Sequence, residues 1–235
     1  QLPPIGSQGV TSKEKFAFMS EAWSRAGMSV CYLTEQYRQS DNDLNLILNE
    51  IRTGKISEKS YHKLQGATKN SLKAAGEPTK LYTHNTDVDR INAEQLAKLP
   101  GVTKSFKAKT SGNKKLIETL KKSVLAGENL AFKIGAKVMF VKNDKEKRYV
   151  NGSLGTVIGF SDAGVPSVKL LDGRTVFAEK EDWSIADDSG KTLANYNQIP
   201  LRLAWAITVH KCQGMTLDAA EIDLSKTFEM GQGYV

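Results

Sequence analysis

The sequence predicts an α/β protein, with a parallel sheet flanked by helices and a small β-barrel inserted into it. Three observations carry this. Residues 80–99 and 200–217 each read as an apolar strand running into a polar turn, the first then continuing into a helix; such units build parallel sheets. Between them, from about 136 to 187, the texture changes to short apolar runs separated by Asn151-Gly152, Asp162-Ala163-Gly164 and Asp172-Gly173, all strong turn signals. The chain has 235 residues, 40% of them hydrophobic and 25% charged, enough to bury a core in one large domain or two small ones.

Taken in order, residues 12–27 read as a helix: Phe16, Met19, Trp23 and Ala26 share a face, Ser12 caps it and Gly27 stops it. Residues 30–33 form a short apolar strand. A second helix spans 41–53, with Leu44, Ile47, Leu48 and Ile51 at helical spacing and Gly54 beyond its end. The polar segment 55–78 gives no clear pattern. A strand at 80–83 leads through His84-Asn85-Thr86 into a helix carrying Val88, Ile91, Leu96 and Leu99. Strands are then expected at 137–142, 154–160, 168–171, 175–178 and 183–185, a spacing that suits a closed barrel because closure hides strand edges. The chain returns through 195–199 to one strand in which Leu201, Leu203, Trp205 and Ile207 alternate with Arg202, Ala204 and Ala206.

Charge and cysteine usage narrow the function. The net charge of +7 suits a phosphate-bearing partner. Lys98, Lys104, Lys107, Lys109, Lys114, Lys115, Lys121 and Lys122 cluster with Glu118 as the one acid among them, forming either a solvated connector or an electrostatic track for a nucleic-acid backbone. Cys31 and Cys212 lack metal-type spacing and read as buried thiols of a reducing compartment. No apolar run approaches the roughly 20 residues of a membrane span.

The richest chemistry stands at the exit of the last strand, where Thr208, His210, Lys211, Gln213 and Thr216 surround Gly214. In open α/β sheets ligands collect at that carboxyl edge, and short donors beside a cation suit a phosphate backbone. This stretch resembles the fifth motif of superfamily 1 helicases in the branch containing RecD and the Pif (petite integration frequency) family. Gln1-Leu2-Pro3-Pro4-Ile5 resembles the end of the third motif, and Leu33-Thr34-Glu35-Gln36-Tyr37-Arg38-Gln39 the fourth. The run from Gly135 to Asp144, with Tyr149-Val150-Asn151-Gly152, resembles the entry to an inserted barrel. Gly231-Gln232-Gly233-Tyr234-Val235 resembles the first half of the sixth motif.

The resemblance implies a RecA-like second motor domain of the P-loop NTPase class, interrupted by an SH3-like barrel. It divides the chain into 1–29 (end of the first RecA-like domain), 30–135 (first part of the second), 136–195 (the barrel) and 196–235 (second part). Arg38 would supply a guanidinium to the γ-phosphate, and Gln1 would sense it. Thr83, His84, Asn85, Lys142, Asn143, Tyr149, Thr208, His210, Lys211, Gln213 and Thr216 would contact DNA, with Gly231, Gln232 and Gly233 a remnant of an ATP-site motif. From the residues alone, Asn85 or Thr86 reads equally as a helix cap, and Tyr149 as a packing residue at the barrel rim.

The sequence contains no Gly-x-x-x-x-Gly-Lys-Ser/Thr phosphate loop, and no Asp-Glu pair follows an apolar strand. The implied reading is therefore the C-terminal half of an ATP-dependent 5′-to-3′ DNA helicase, inactive alone as an ATPase. ATP and Mg2+ would be held mainly by an upstream RecA-like domain. Single-stranded DNA and fork junctions would be the partners, in bacterial cytoplasm or in a nucleus or mitochondrion. A non-enzymatic nucleic-acid-binding module, and the helicase portion of a RecD-type recombination or relaxase protein, are the alternatives.

Overall fold

The computed structural model describes residues 16–32, 41–68, 78–213, 220–227, 231, 233 and 234. The chain forms two compact units, Gln1–Lys73 with Thr227–Val235, and Ala74–Lys226.

In the first unit, α1 (Glu21–Arg25) follows a 3-10 turn and is capped by the Ser20 side chain, which accepts from the Trp23 amide. The expected helix at 12–27 is therefore much shorter where it is described, and Phe18, Met19 and Trp23 stand about half exposed. Val30 and Tyr32 are exposed, as is Cys31, which was expected to be buried; residues 28–32 carry no strand, so the expected strand at 30–33 is not found in its described part. α2 (Asn42–Thr53) matches expectation: Asp41 caps its first amides, Ile47 is buried, and Gly54 closes it in the left-handed region at φ 71°. α3 (Glu58–Ala67) lies in the segment that gave no pattern. Ser57 caps it while donating, through its amide and hydroxyl, to Glu50 of α2.

The second unit begins with β1 (Thr79–Tyr82) and α4 (Asn85–Lys98). β2 (Lys104–Lys107), β3 (Lys109–Gly112) and α5 (Lys114–Ser123) follow. The lysine-rich stretch is thus folded structure rather than a connector. Leu116, Ile117 and Leu120 of α5 pack on Tyr196 and Ala194, which leaves Lys114, Lys115 and Lys122 facing water. β4 (Asn129–Phe132), β5 (Lys137–Phe140), β6 (Leu154–Phe160), β7 (Pro166–Leu170), β8 (Thr175–Phe177), β9 (Glu181–Ala186) and β10 (Thr192–Gln198) come next. β11 (Leu201–Leu203), β12 (Ala206–Thr208), α6 (Val209–Cys212) and β13 (Ala220–Ile222) complete it.

These strands make a parallel sheet ordered β12-β1-β13, an antiparallel five-stranded sheet ordered β11-β5-β6-β7-β8, a β3-β10-β9 sheet and a β2-β4 pair. Two expectations change. Residues 183–185 were expected in the barrel, but β9 pairs with β10 instead, and Asp182 binds the Asn195 and Asn197 amides across that pair. The place it would have taken goes to β11, which runs antiparallel to β5. The expected single strand over 201–207 is therefore two strands in two sheets, with the chain crossing at the buried Ala204 and Trp205.

One core fills the antiparallel sheet with Val138, Phe140, Val157, Val168, Leu201 and Trp205, and Ile91 and Leu96 of α4, with Leu99 just past its end, pack against it. Met139, Val141, Ala204, Ile207 and Leu81 form a second core between that sheet and the parallel one, touched by Val209 and Cys212. The two sheets are thereby welded, which fixes the edge from which β1 and β12 emerge. The buried Gln198 tightens the far side, donating to the carbonyls of Phe106, Gly127 and Glu128.

Candidate nucleic-acid interface

β1 and β12 run parallel in a register that sets Tyr82 opposite Thr208. Both strands end at the same edge, so Thr83-His84-Asn85 and Thr208 to Gln213 lie side by side although some 125 residues separate them. Their chemistry is layered. Thr83 and Thr208 are 6% and 3% exposed and lie beneath the surface. The Thr83 hydroxyl donates to the Lys226 carbonyl at 3.0 Å and contacts His84 Nδ1 at 2.8 Å, which orients that ring. His84, Asn85 and Gln213 are exposed, and His210 and Lys211 half-buried. The hydroxyls thus support the edge, and the imidazoles, amides and ammonium form its face.

Asn85 is the first residue of α4 and His84 occupies the cap position without a side-chain cap bond, so neither Asn85 nor Thr86 caps the helix. The amides of that first turn are available to an anion at this edge, where the helix dipole favours negative charge.

The edge is held by a residue that sequence reading passed over. Among the described residues β12 has β1 on one side only, and the Lys80 amide donates to Trp205 O across that pair. Successive peptide groups alternate sides, so the N–H and C=O of Ala206 face away from β1. Asn92 of α4, 6% exposed, meets both: its Nδ2 donates to Ala206 O at 2.9 Å and its Oδ1 accepts from Ala206 N at 3.0 Å. One amide side chain thus makes the two bonds that a neighbouring strand would make. Only its place one turn beyond Val88 on the buried face of the helix hinted at this.

The barrel-side candidates separate from this edge. Lys142 donates to Glu181 at 3.0 Å and to the Asp182 carbonyl at 2.6 Å, with its Nζ 4.9 Å from the Trp183 ring centre. Its charge is committed within the fold. Asn143 Oδ1 accepts the Asn151 amide at 2.8 Å and shapes the turn. Tyr149 is 3% exposed and stacks on Phe140 with centroids 3.8 Å apart, so it packs the core and cannot present a free face to a base. Burial pushes its hydroxyl up to about 12. Between them, Arg148 grips Asp144 through both carboxylate oxygens and holds that acid down at about 2, helped by the amides of Arg148 and Glu146. The loop is a self-contained structural clasp.

In the first unit, Gly231 and Gly233 lie in a turn closed by the Tyr234 amide on Gly231 O, and Arg52 Nε of α2 donates to the Tyr234 hydroxyl at 3.0 Å. Gln1, Arg38, Thr216 and Gln232 lie outside the described residues. Among the described residues, no group of three or more His, Cys, Asp or Glu side chains is placed to hold a metal ion. No described helix is long and apolar enough to cross a membrane.

Comparison with known proteins agrees with this picture. The family model described as "DNA helicase Pif1, 2B domain" matches residues 115–160, which span α5 and the first strands of the antiparallel sheet. Along its whole length the chain is 43% identical to the ATP-dependent DNA helicase Pif1 of Psychrobacter sp. and covers 44% of that protein. It is 38% identical to human ATP-dependent DNA helicase PIF1, again over all of this chain and 37% of the relative. Bacteroides sp Pif1, solved in complex with ADP-AlF4, superposes with a TM-score of 0.81 at 30% identity, covering 100% of this chain and 56% of that one. The same Bacteroides protein bound to ssDNA gives 0.63. The chain spans about half or less of these proteins' length, so it corresponds to part of a RecA-like helicase architecture. Over its whole length the chain is thus similar to part of the Pif1 helicases.

Proposed function

We propose that this chain is the C-terminal motor portion of an ATP-dependent DNA helicase, and that the β1–β12 edge grips single-stranded DNA. The observation that carries this is the register of Tyr82 against Thr208, which brings two polar strand exits to one carboxyl edge. His84, Asn85, His210, Lys211 and Gln213 then offer donors and one cation to a phosphate backbone without reading base identity. Relatives solved with ssDNA, and with forked dsDNA, support the same partner.

In this reading Arg38 reaches a nucleotide held with Mg2+ mainly by an upstream RecA-like domain, and Gln1 senses the γ-phosphate. Closure of the two domains on ATP and their release on hydrolysis would step the edge along the strand in the 5′-to-3′ direction. The antiparallel sheet would be the SH3-like insertion, resting against the edge rather than gripping the strand through Lys142, Asn143 or Tyr149. The domain boundaries at residues 29, 135 and 195 belong to this proposal too, with β11 shared between insertion and motor domain.

The test is fluorescence anisotropy of labelled oligo(dT) titrated with the chain, alongside His210→Ala and Lys211→Ala variants. Wild-type binding should weaken steeply with salt, each phosphate contact contributing a slope of about −0.7 in log K against log salt. Lys211→Ala should flatten that slope. Variants that bind like wild type would refute the assignment of this edge.

A further inference from the structure

Among the described residues of the second unit, Arg202 is the one cation with buried nitrogens left without a partner. Its Nε and Nη1 are buried and have no hydrogen-bond partner among the described residues. A guanidinium with two buried nitrogens unpaired costs the fold free energy that an apolar side chain such as methionine at the same position would not. Such a group calls for a partner from outside.

Strand geometry says where it points. Leu201 and Leu203 turn into the core of the antiparallel sheet, so Arg202 between them takes the opposite face. Its cross-strand partner is Met139, and directly paired residues share a face. Met139 belongs to the second core, which also holds Ile207 and is touched by Val209 and Cys212. Arg202 therefore lies on the α6 side of its sheet, where Lys211 sits one residue from Cys212. The two charges feel each other: burial, then Arg202, hold the Lys211 ammonium below its usual range, while Asp89 of α4 opposes this. Burial likewise lowers Arg202, with Asp89 again opposing. Asp89 offsets part of the charge but forms no ion pair with either cation among the described residues. Two half-buried cations beside one carboxylate leave net positive charge at the junction of the two sheets.

We propose that Arg202 and Lys211 form a phosphate-binding notch that takes one backbone phosphodiester of single-stranded DNA, an inference that rests on the edge assignment above and adds a residue from the inserted sheet to it. A phosphate seated there satisfies the guanidinium and ties β11 to α6, so DNA binding clamps the two sheets together. The planar guanidinium fork suits two phosphate oxygens at once, and Lys211 adds a point charge.

The test uses Arg202→Gln, Arg202→Lys and Lys211→Gln. Arg202→Gln should keep or raise the thermal midpoint in chloride buffer, because it removes an unpaired charge. It should weaken oligo(dT) binding about tenfold at low salt and flatten the salt slope by about 0.7. Arg202→Lys should restore the slope. Inorganic phosphate, at matched ionic strength, should raise the midpoint of wild type more than that of Arg202→Gln. Wild-type oligo(dT) affinity and slope in Arg202→Gln would overturn the notch; if Lys211→Gln is weak in the same assay, the edge assignment survives. Phosphate protection lost in Arg202→Gln without any change in oligo(dT) binding would mark a free-anion site and also overturn it. A wild-type chain that does not bind oligo(dT) removes the edge assignment and the notch together.

Discussion

Replacing Asn92 by alanine removes both hydrogen bonds that satisfy Ala206 and leaves a buried N–H and a buried C=O without partners. Each such group costs about 1–3 kcal/mol. Alanine's better helix propensity returns about 0.5 kcal/mol, and water entering the vacated space would recover some more. The net loss should be about 3 kcal/mol, a fall of roughly 6–12 °C in midpoint for a unit of this size. Urea unfolding of wild type and Asn92→Ala, followed by tryptophan fluorescence, measures it. Asn92→Asp sharpens the test, since it keeps the acceptor for Ala206 N but sets a carboxylate against Ala206 O. That variant should be as unstable as Asn92→Ala at neutral pH and recover in mild acid, where a protonated carboxyl can donate again. An Asn92→Ala midpoint within about 0.5 kcal/mol of wild type, the scale of an ordinary surface substitution, would refute the idea that this amide makes the bonds a neighbouring strand would make.

Asp144 binds Arg148 with its folded pKa near 2, below the ordinary 3.8, so its stabilisation is complete above about pH 4 and is lost as pH falls towards 2. Asp144→Asn should therefore unfold more easily than wild type at pH 7 by about 1.5–3 kcal/mol, the worth of charged hydrogen bonds, and the gap should close near pH 2 in acid titrations. Tyr149→Leu should cost stability through the lost stacking on Phe140, yet keep the oligo(dT) salt slope of wild type; a flattened slope would return Tyr149 to the DNA-contacting set. Gly112 holds φ 99° and a methyl there would stand 2.2 Å from Leu193 O, so Gly112→Ala should loosen the β3–β10 pairing and lower the thermal midpoint by several degrees.

Local pattern made part of this fold legible. α2 and α4 followed from helical spacing, and β6 from its apolar run between turn signals. The two strand exits, at His84 and at His210, were legible as candidate contacts because polar residues follow apolar strands there. What sequence could not show was pairing partners. Residues 201–203 and 206–208 share one alternating pattern, but the sheet each joins depends on contacts with β5 and β1, far away in the chain. The same long-range choice sends β9 to β10. Lys142 and Tyr149 show a related limit: in sequence, a cation and an aromatic beside a turn look alike whether they face DNA or pack on Trp183 and Phe140, the contacts the structure shows. Asn92 and Arg202 sat unmarked within a helix and a strand, and only the structure shows that one pairs with the Ala206 backbone while the other has two buried nitrogens without a partner among the described residues.

Hydrogen exchange on the chain with and without saturating oligo(dT) bears most directly on where the strand lies. Slowed exchange should appear together in residues 83–87 and 208–213, which are adjacent in space through the β1–β12 register and distant in sequence. Protection confined to the lysine-rich 104–122 stretch or to the 143–153 loop, with both strand exits unchanged, would contradict the account.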